Sequence, residues 1–150
     1  MKKYILSLIM LLVLLSPNAY ANTKEVTVKV NNLDIESTVP AQIINDRTML
    51  PMRSIFERLG ARVTWMETDK IIFATKDDLF ITMQIDNNIM SVQEIRNDAI
   101  RKIELDSPPF IKGDSTMVPV RAVAESLGCK VEWEHETYTV YISTDSSEVN

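Results

Sequence analysis

Two stretches of this 150-residue chain spell nearly the same phrase, RTMLPMRSIFERLGARVTW from Arg47 to Trp65 and STMVPVRAVAESLGCKVEW from Ser115 to Trp133. Thr48 and Thr116, Pro51 and Pro119, Arg53 and Arg121, Glu57 and Glu125, Gly60 and Gly128, and Trp65 and Trp133 are each 68 positions apart, with no gap. The same spacing holds upstream for Pro40 and Pro108 and for Ile43 and Ile111, so the shared unit is longer than one helix. Such a repeat constrains the architecture more than any local signal. A unit of roughly 60 residues buries little surface alone. The expected design is one domain of two related halves, with two independent subdomains as the alternative.

Within each phrase the periodicity changes twice. Met52, Ile55, Phe56 and Leu59, and likewise Val120, Val123, Ala124 and Leu127, recur at i, i+3, i+4 and i+7, the single buried stripe of a short amphipathic helix. Pro51 or Pro119 opens it in the first turn, and Gly60 or Gly128 stops it where a left-handed cap excludes Cβ. Val63 with Trp65, and Val131 with Trp133, then alternate with polar residues as half-buried strands. Polar turns at 67–69 and 134–137 lead to return strands at 70–75 and 138–142. Further strands are expected over 26–30, 79–85, 89–95 and 99–105, with turns at Asn31–Asn32, Asn97–Asp98, Asn45 and Gly113. This predicts an α+β fold: a mostly antiparallel sheet wrapped around two short helices, built from repeats spanning about 26–75 and 79–142.

The beginning of the chain carries a compartment signal. Lys2 and Lys3 precede an apolar run from Tyr4 to Leu15, and Ala19, Tyr20 and Ala21 follow in a small-x-small pattern, which reads as a secretory signal peptide over residues 1–21. About a dozen apolar residues are too few to span a bilayer, where about 20 are needed, so no integral membrane segment is expected after cleavage. The protein is therefore expected outside the cell, associated with the envelope. Cleavage removes two lysines and no acid, which takes the net charge from −5 to −7. An acidic module of this kind is a poor match for nucleic acid or anionic lipid. Cys129 is the single cysteine, which excludes an internal disulfide, and its position in the first phrase is held by Ala61, as a small buried side chain requires. Residues 22–142 are expected to form the domain and residues 143–150 a disordered polar tail.

The repeated Pro-x-Arg followed by Gly-x-x-Val-x-Trp, after a proline-containing strand and an Asn-containing turn, resembles the copper amine oxidase N-terminal domain-like family, also called the stalk domain, over roughly Val26 to Ile142. The resemblance implies an antiparallel sheet around a helix and a place in secreted or surface proteins, mostly of Gram-positive bacteria. It does not carry amine oxidation. In the oxidases the copper ligands and the quinone-forming tyrosine lie in another domain, and this chain has one histidine where the copper site uses three.

Few side chains suggest chemistry. No Gly-x-Ser-x-Gly, His-Glu-x-x-His or Gly-rich phosphate loop occurs, so no catalytic residue, metal ligand or cofactor is assigned, and the chain is not expected to be an enzyme. Arg53 and Arg121 fall in the first helical turn, where a cation opposes the helix dipole by up to ~1 kcal/mol. Each is expected to tie the helix to a strand carbonyl or to Asp46 or Asp114, with capture of a ligand carboxylate as the functional alternative. Trp65 and Trp133 are in phase with core valines and are expected inside; exposed, they would stack on sugar rings. Arg96, Arg101 and Lys102 form a basic hairpin, the candidate interaction surface, though charged edge hairpins also serve simply to prevent aggregation. The leading expectation is a non-catalytic binding or spacer module for an unidentified envelope or cell-wall component. The alternative is an extracellular metal-binding protein using methionines and His135.

Overall fold

The computed structural model describes residues 25–144. The expected signal peptide and residues 145–150 of the expected tail lie outside the described residues. In chain order, β1 (Thr27–Val30), β2 (Leu33–Asp34), β3 (Gln42–Ile44) and β4 (Arg47–Pro51) lead into helix α1 (Met52–Arg58), followed by β5 (Arg62–Met66) and β6 (Ile71–Lys76). Then come β7 (Leu79–Gln84), β8 (Ile89–Glu94), β9 (Ala99–Glu104), β10 (Phe110–Lys112) and β11 (Ser115–Pro119). Helix α2 (Val120–Ser126), β12 (Lys130–Glu134) and β13 (Thr139–Ser143) close the chain. Strands dominate, nearly all antiparallel, with two short helices: an α+β fold.

The helix boundaries follow from the residues that flank them. Pro51 and Pro119 are the last residues of β4 and β11 and precede the helices by one position, with φ of −52° and −71°. The pattern placed them inside the first turn. A fixed φ and a missing N–H suit the end of a strand equally well. At the other end, Gly60 and Gly128 take φ of +77° and +80°. The amide of Gly60 donates to Glu57 and that of Ala61 to Phe56 (3.0 and 2.8 Å); Gly128 donates to Glu125 and Cys129 to Ala124 (3.1 and 3.0 Å). This paired pattern satisfies the last carbonyls of each helix and seats a small apolar residue against the helix. Cys129 is that residue in α2, which explains its burial.

Both helical stripes are buried as predicted, with Ile55, Phe56, Val120, Val123 and Ala124 fully enclosed. They join one apolar cluster with Ile72, Ile81, Met83 and Met90 on one side and Val28, Val30, Val140 and Ile142 on the other.

Three sheets supply these surfaces. The central one has the order β10-β11-β4-β3, and β4 pairs with β11 antiparallel: Leu50 faces Val118, Met49 faces Pro119, and Pro51 faces Met117. Helices α1 and α2 touch each other and each packs on both of these strands, while α1 also reaches β5 and α2 reaches β12. A five-stranded sheet runs β5-β6-β7-β8-β9 and a four-stranded one β12-β13-β1-β2. In the latter, β1 lies parallel to β13, with Thr27–Val30 beside Thr139–Ile142. Asn31, in a hairpin turn with Asn32 at φ of 49° and 66°, clasps Thr144 through both its amide nitrogen and its oxygen (2.7 and 3.1 Å). Ser143 and Thr144, expected in the tail, are therefore part of the folded structure.

Replacement of Phe56 by Ala should cost about 3–5 kcal/mol in urea unfolding, the cost of a large buried cavity. Gly128→Ala should cost only ~1–2 kcal/mol, because no atom lies within 4 Å of the added Cβ and the backbone conformation is the whole penalty.

Candidate functional site: two clefts that share one design

Because β4 and β11 run antiparallel, the start of each lies beside the end of the other, where a helix begins. The turn before β4 is thus brought to α2, and the turn before β11 to α1. Each junction is hollowed into a cleft. One, of about 360 Å³, is lined by Glu104, Asp46, Thr48, Pro119, Arg121 and Trp133, among others. The second, of about 860 Å³, is lined by Glu36, Asp114, Thr116, Pro51, Arg53 and Trp65, among others. These two sets correspond residue for residue at the 68-position spacing, and in each the aspartate and threonine come from the opposite phrase.

The two clefts differ at their openings. In the smaller cleft Arg47 reaches Asp106, with Nη2 at 2.5 Å and Nε at 2.7 Å from Oδ2. At the corresponding positions of the larger cleft stand Ser115 and Thr38, which cannot form such a bar. The pair is solvent-exposed, at 42% and 65%, so its contribution to stability is at most ~1 kcal/mol, while its bulk narrows the opening.

The tryptophans depart from their expected place. Trp65 packs against the core but is only partly buried, and its indole N–H donates to the Glu67 carboxylate at the cleft. Trp133 is 36% exposed, with Tyr138 edge-on at 5.5 Å. Both sit on β5 and β12, the outermost strands of their sheets, so the inward face there overlooks a cleft and not a closed core. The arginines also depart. Arg53 lies 4.0 Å from Glu57, both largely exposed, and Arg121 has no hydrogen bond or ion pair among the described residues. Neither bonds to a strand carbonyl or to Asp46 or Asp114. Both arginines are exposed, and each lines its cleft. Nearby, Lys130 on β12 donates to Glu132 (2.6 Å), which holds its ammonium above the usual lysine range.

The other sequence candidates do not converge. Arg96 pairs with Asp78 at the β8–β9 turn. Arg101 lies opposite Val92 and Lys102 opposite Ser91, so these neighbours on β9 point to opposite faces. Of the methionines considered for metal, Met49, Met52 and Met83 are inside the core and Met66 is 40% exposed, while His135 lies beside Tyr138 at 5.5 Å. Among the described residues no three His, Cys, Asp or Glu side chains group closely enough to hold a metal ion. Sequence reading missed Glu36 and Glu104 and the threonines, although their identity at the common spacing was the available signal.

A family model for the copper amine oxidase N-terminal domain matches residues 29–142. The chain belongs to that family. The match takes in both phrases and both clefts, and the sequence resemblance pointed to this same family. No curated protein and no solved structure matches the chain significantly. Among the described residues, no helix of this copper amine oxidase N-terminal-type domain is long and apolar enough to cross a membrane.

Arg47→Ser should change stability by no more than about 1 kcal/mol and open the smaller cleft. Acrylamide quenching of Trp133, read in a Trp65→Phe background, should rise measurably.

Proposed function

We propose that this chain is an exported, non-catalytic module of the stalk type that binds or spaces components of the cell envelope. The observation that carries this reading is the pair of corresponding clefts, each presenting a partly exposed tryptophan and an exposed arginine. Export is supported by the basic, apolar and small-x-small succession from Lys2 to Ala21. A non-catalytic role is supported by the inventory of the clefts. The chain's one histidine lines neither of them, and no recognised nucleophile motif occurs in the sequence.

We further read the two phrases as structural repeats about an approximate twofold axis between Leu50 and Val118. Support comes from the β4–β11 register, which is unchanged when the two phrases are exchanged: Leu50 faces its own counterpart Val118, and Met49 faces Pro119 as Met117 faces Pro51. The matched cleft residues add to it. In this reading the domain is one unit, since each cleft needs a turn from the other half. A metal-binding role has no comparable support, because among the described residues every methionine but Met66 is packed in the core.

The purified protein, incubated with isolated cell wall and separately with envelope extract, is expected to be retained on at least one of them. Quantitative recovery in the unbound fraction from both contradicts the proposal.

A further inference from the structure

We infer that each cleft seats a pyranose ring of a neutral glycan, stacked on Trp65 or Trp133 and hydrogen-bonded by the carboxylates and arginine around it. This rests on the binding-module reading above and names the ligand class for the same site.

The first reason is the balance of donors and acceptors. The larger cleft sets the carboxylates of Glu36, Glu67 and Asp114 against one guanidinium, Arg53. The smaller sets four carboxylates, those of Asp46, Glu104, Asp106 and Glu125, against Arg47 and Arg121. Ionised carboxylates only accept and arginines only donate. The best match is a ligand rich in hydroxyl donors, with some acceptors and no net charge. A polyanion meets an excess of like charge; the two surplus carboxylates of each cleft also attract cations, which the poly-lysine probe below tells apart from a hydroxyl-rich ligand.

The second reason is shape. An indole offers an apolar face with a wet edge, which suits the C–H face of a sugar ring flanked by its hydroxyls. Volumes of about 360 and 860 Å³ lie in the range of small-ligand sites, roughly 300–1,000 Å³.

The third reason is what the repeat keeps and what it lets drift. Helix positions that only pack have changed between the phrases: Met52 to Val120, Ile55 to Val123 and Phe56 to Ala124. Five polar or aromatic pairs of the clefts are identical: Glu36 and Glu104, Asp46 and Asp114, Thr48 and Thr116, Arg53 and Arg121, Trp65 and Trp133, while Arg47 and Ser115, Asp106 and Thr38, Ser54 and Ala122, and Glu67 and His135 differ. A scaffold needs only apolar bulk at the former positions. Nothing in packing alone requires an exposed arginine and an exposed acid twice. With the Arg47–Asp106 bar across the smaller cleft, the larger one takes ligand more tightly.

The chain holds one tryptophan in each cleft, so Trp65→Phe and Trp133→Phe variants of the whole chain report on one site each. Emission is titrated with chitotetraose, cellotetraose and maltotetraose, with polygalacturonate and poly-lysine as charged probes. A saturable change with at least one neutral oligosaccharide is expected at both tryptophans, tighter at Trp65. Arg53→Ala and Arg121→Ala, at exposed positions that leave the fold intact, should each weaken binding at their own cleft by about tenfold or more. They serve in the unmodified background should a tryptophan variant fail to fold. Emission that stays unchanged with all three neutral probes at millimolar concentration overturns the inference, as does tighter binding of either charged probe. Retention on cell wall without any oligosaccharide response overturns the glycan assignment and leaves the envelope-binding reading in place. Loss of retention overturns that reading itself.

Discussion

Leu50 and Val118 face each other across β4 and β11, and the rest of the molecule takes its position from that contact. An antiparallel pairing at this register sets the end of each strand beside the start of the other. It therefore launches both helices from one sheet and brings them into mutual contact. Each helix has seven residues, far below the roughly 12–15 at which an isolated helix becomes marginal in water. Neither has a side-chain cap at its start. Their stability comes from burial of Ile55, Phe56, Val120 and Val123 against the sheets, together with the glycine-based closures at Gly60 and Gly128.

The same register makes the clefts. A turn is an exposed, adaptable element, and here each is carried across the seam to meet a helix start from the other phrase. Glutamate, arginine and tryptophan then come from one half of the chain and aspartate and threonine from the other. The outermost position of β5 and β12 leaves the tryptophans on the wall, where a more central strand would have enclosed them. Arg47 with Asp106, in place of Ser115 with Thr38, is one of the differences between the two clefts. Both clefts fall within the part of the chain that matches the copper amine oxidase N-terminal domain family.

The sequence made local structure legible and long-range placement far less so. Helix stripes, glycine stops, the Asn31–Asn32 turn and the alternating strands all depend on residues close together, and each appears where the periodicity puts it. The parallel pairing of β1 with β13 joins residues more than a hundred positions apart and leaves no local pattern. Trp65 and Trp133 have the correct strand parity, but parity does not say whether a strand is central or outermost. Asp46 and Asp114 precede Arg53 and Arg121 in sequence, but in the fold Asp114 lines the cleft of Arg53 and Asp46 that of Arg121. They share the clefts with those arginines without bonding to them, a distinction of side-chain reach that spacing does not encode. Arg96, Arg101 and Lys102 form a cluster in sequence, whereas strand alternation disperses Arg101 and Lys102 to opposite faces of β9.

The central claim is that the β4–β11 seam makes both phrases one cooperative structure. Urea unfolding followed separately through Trp65 and through Trp133, each as the only tryptophan present, tests it most directly. Coincident transitions with equal midpoints, after correction for the stability change of each variant, are what a shared seam predicts. Two separated transitions, with one phrase melting while the other stays folded, would contradict it.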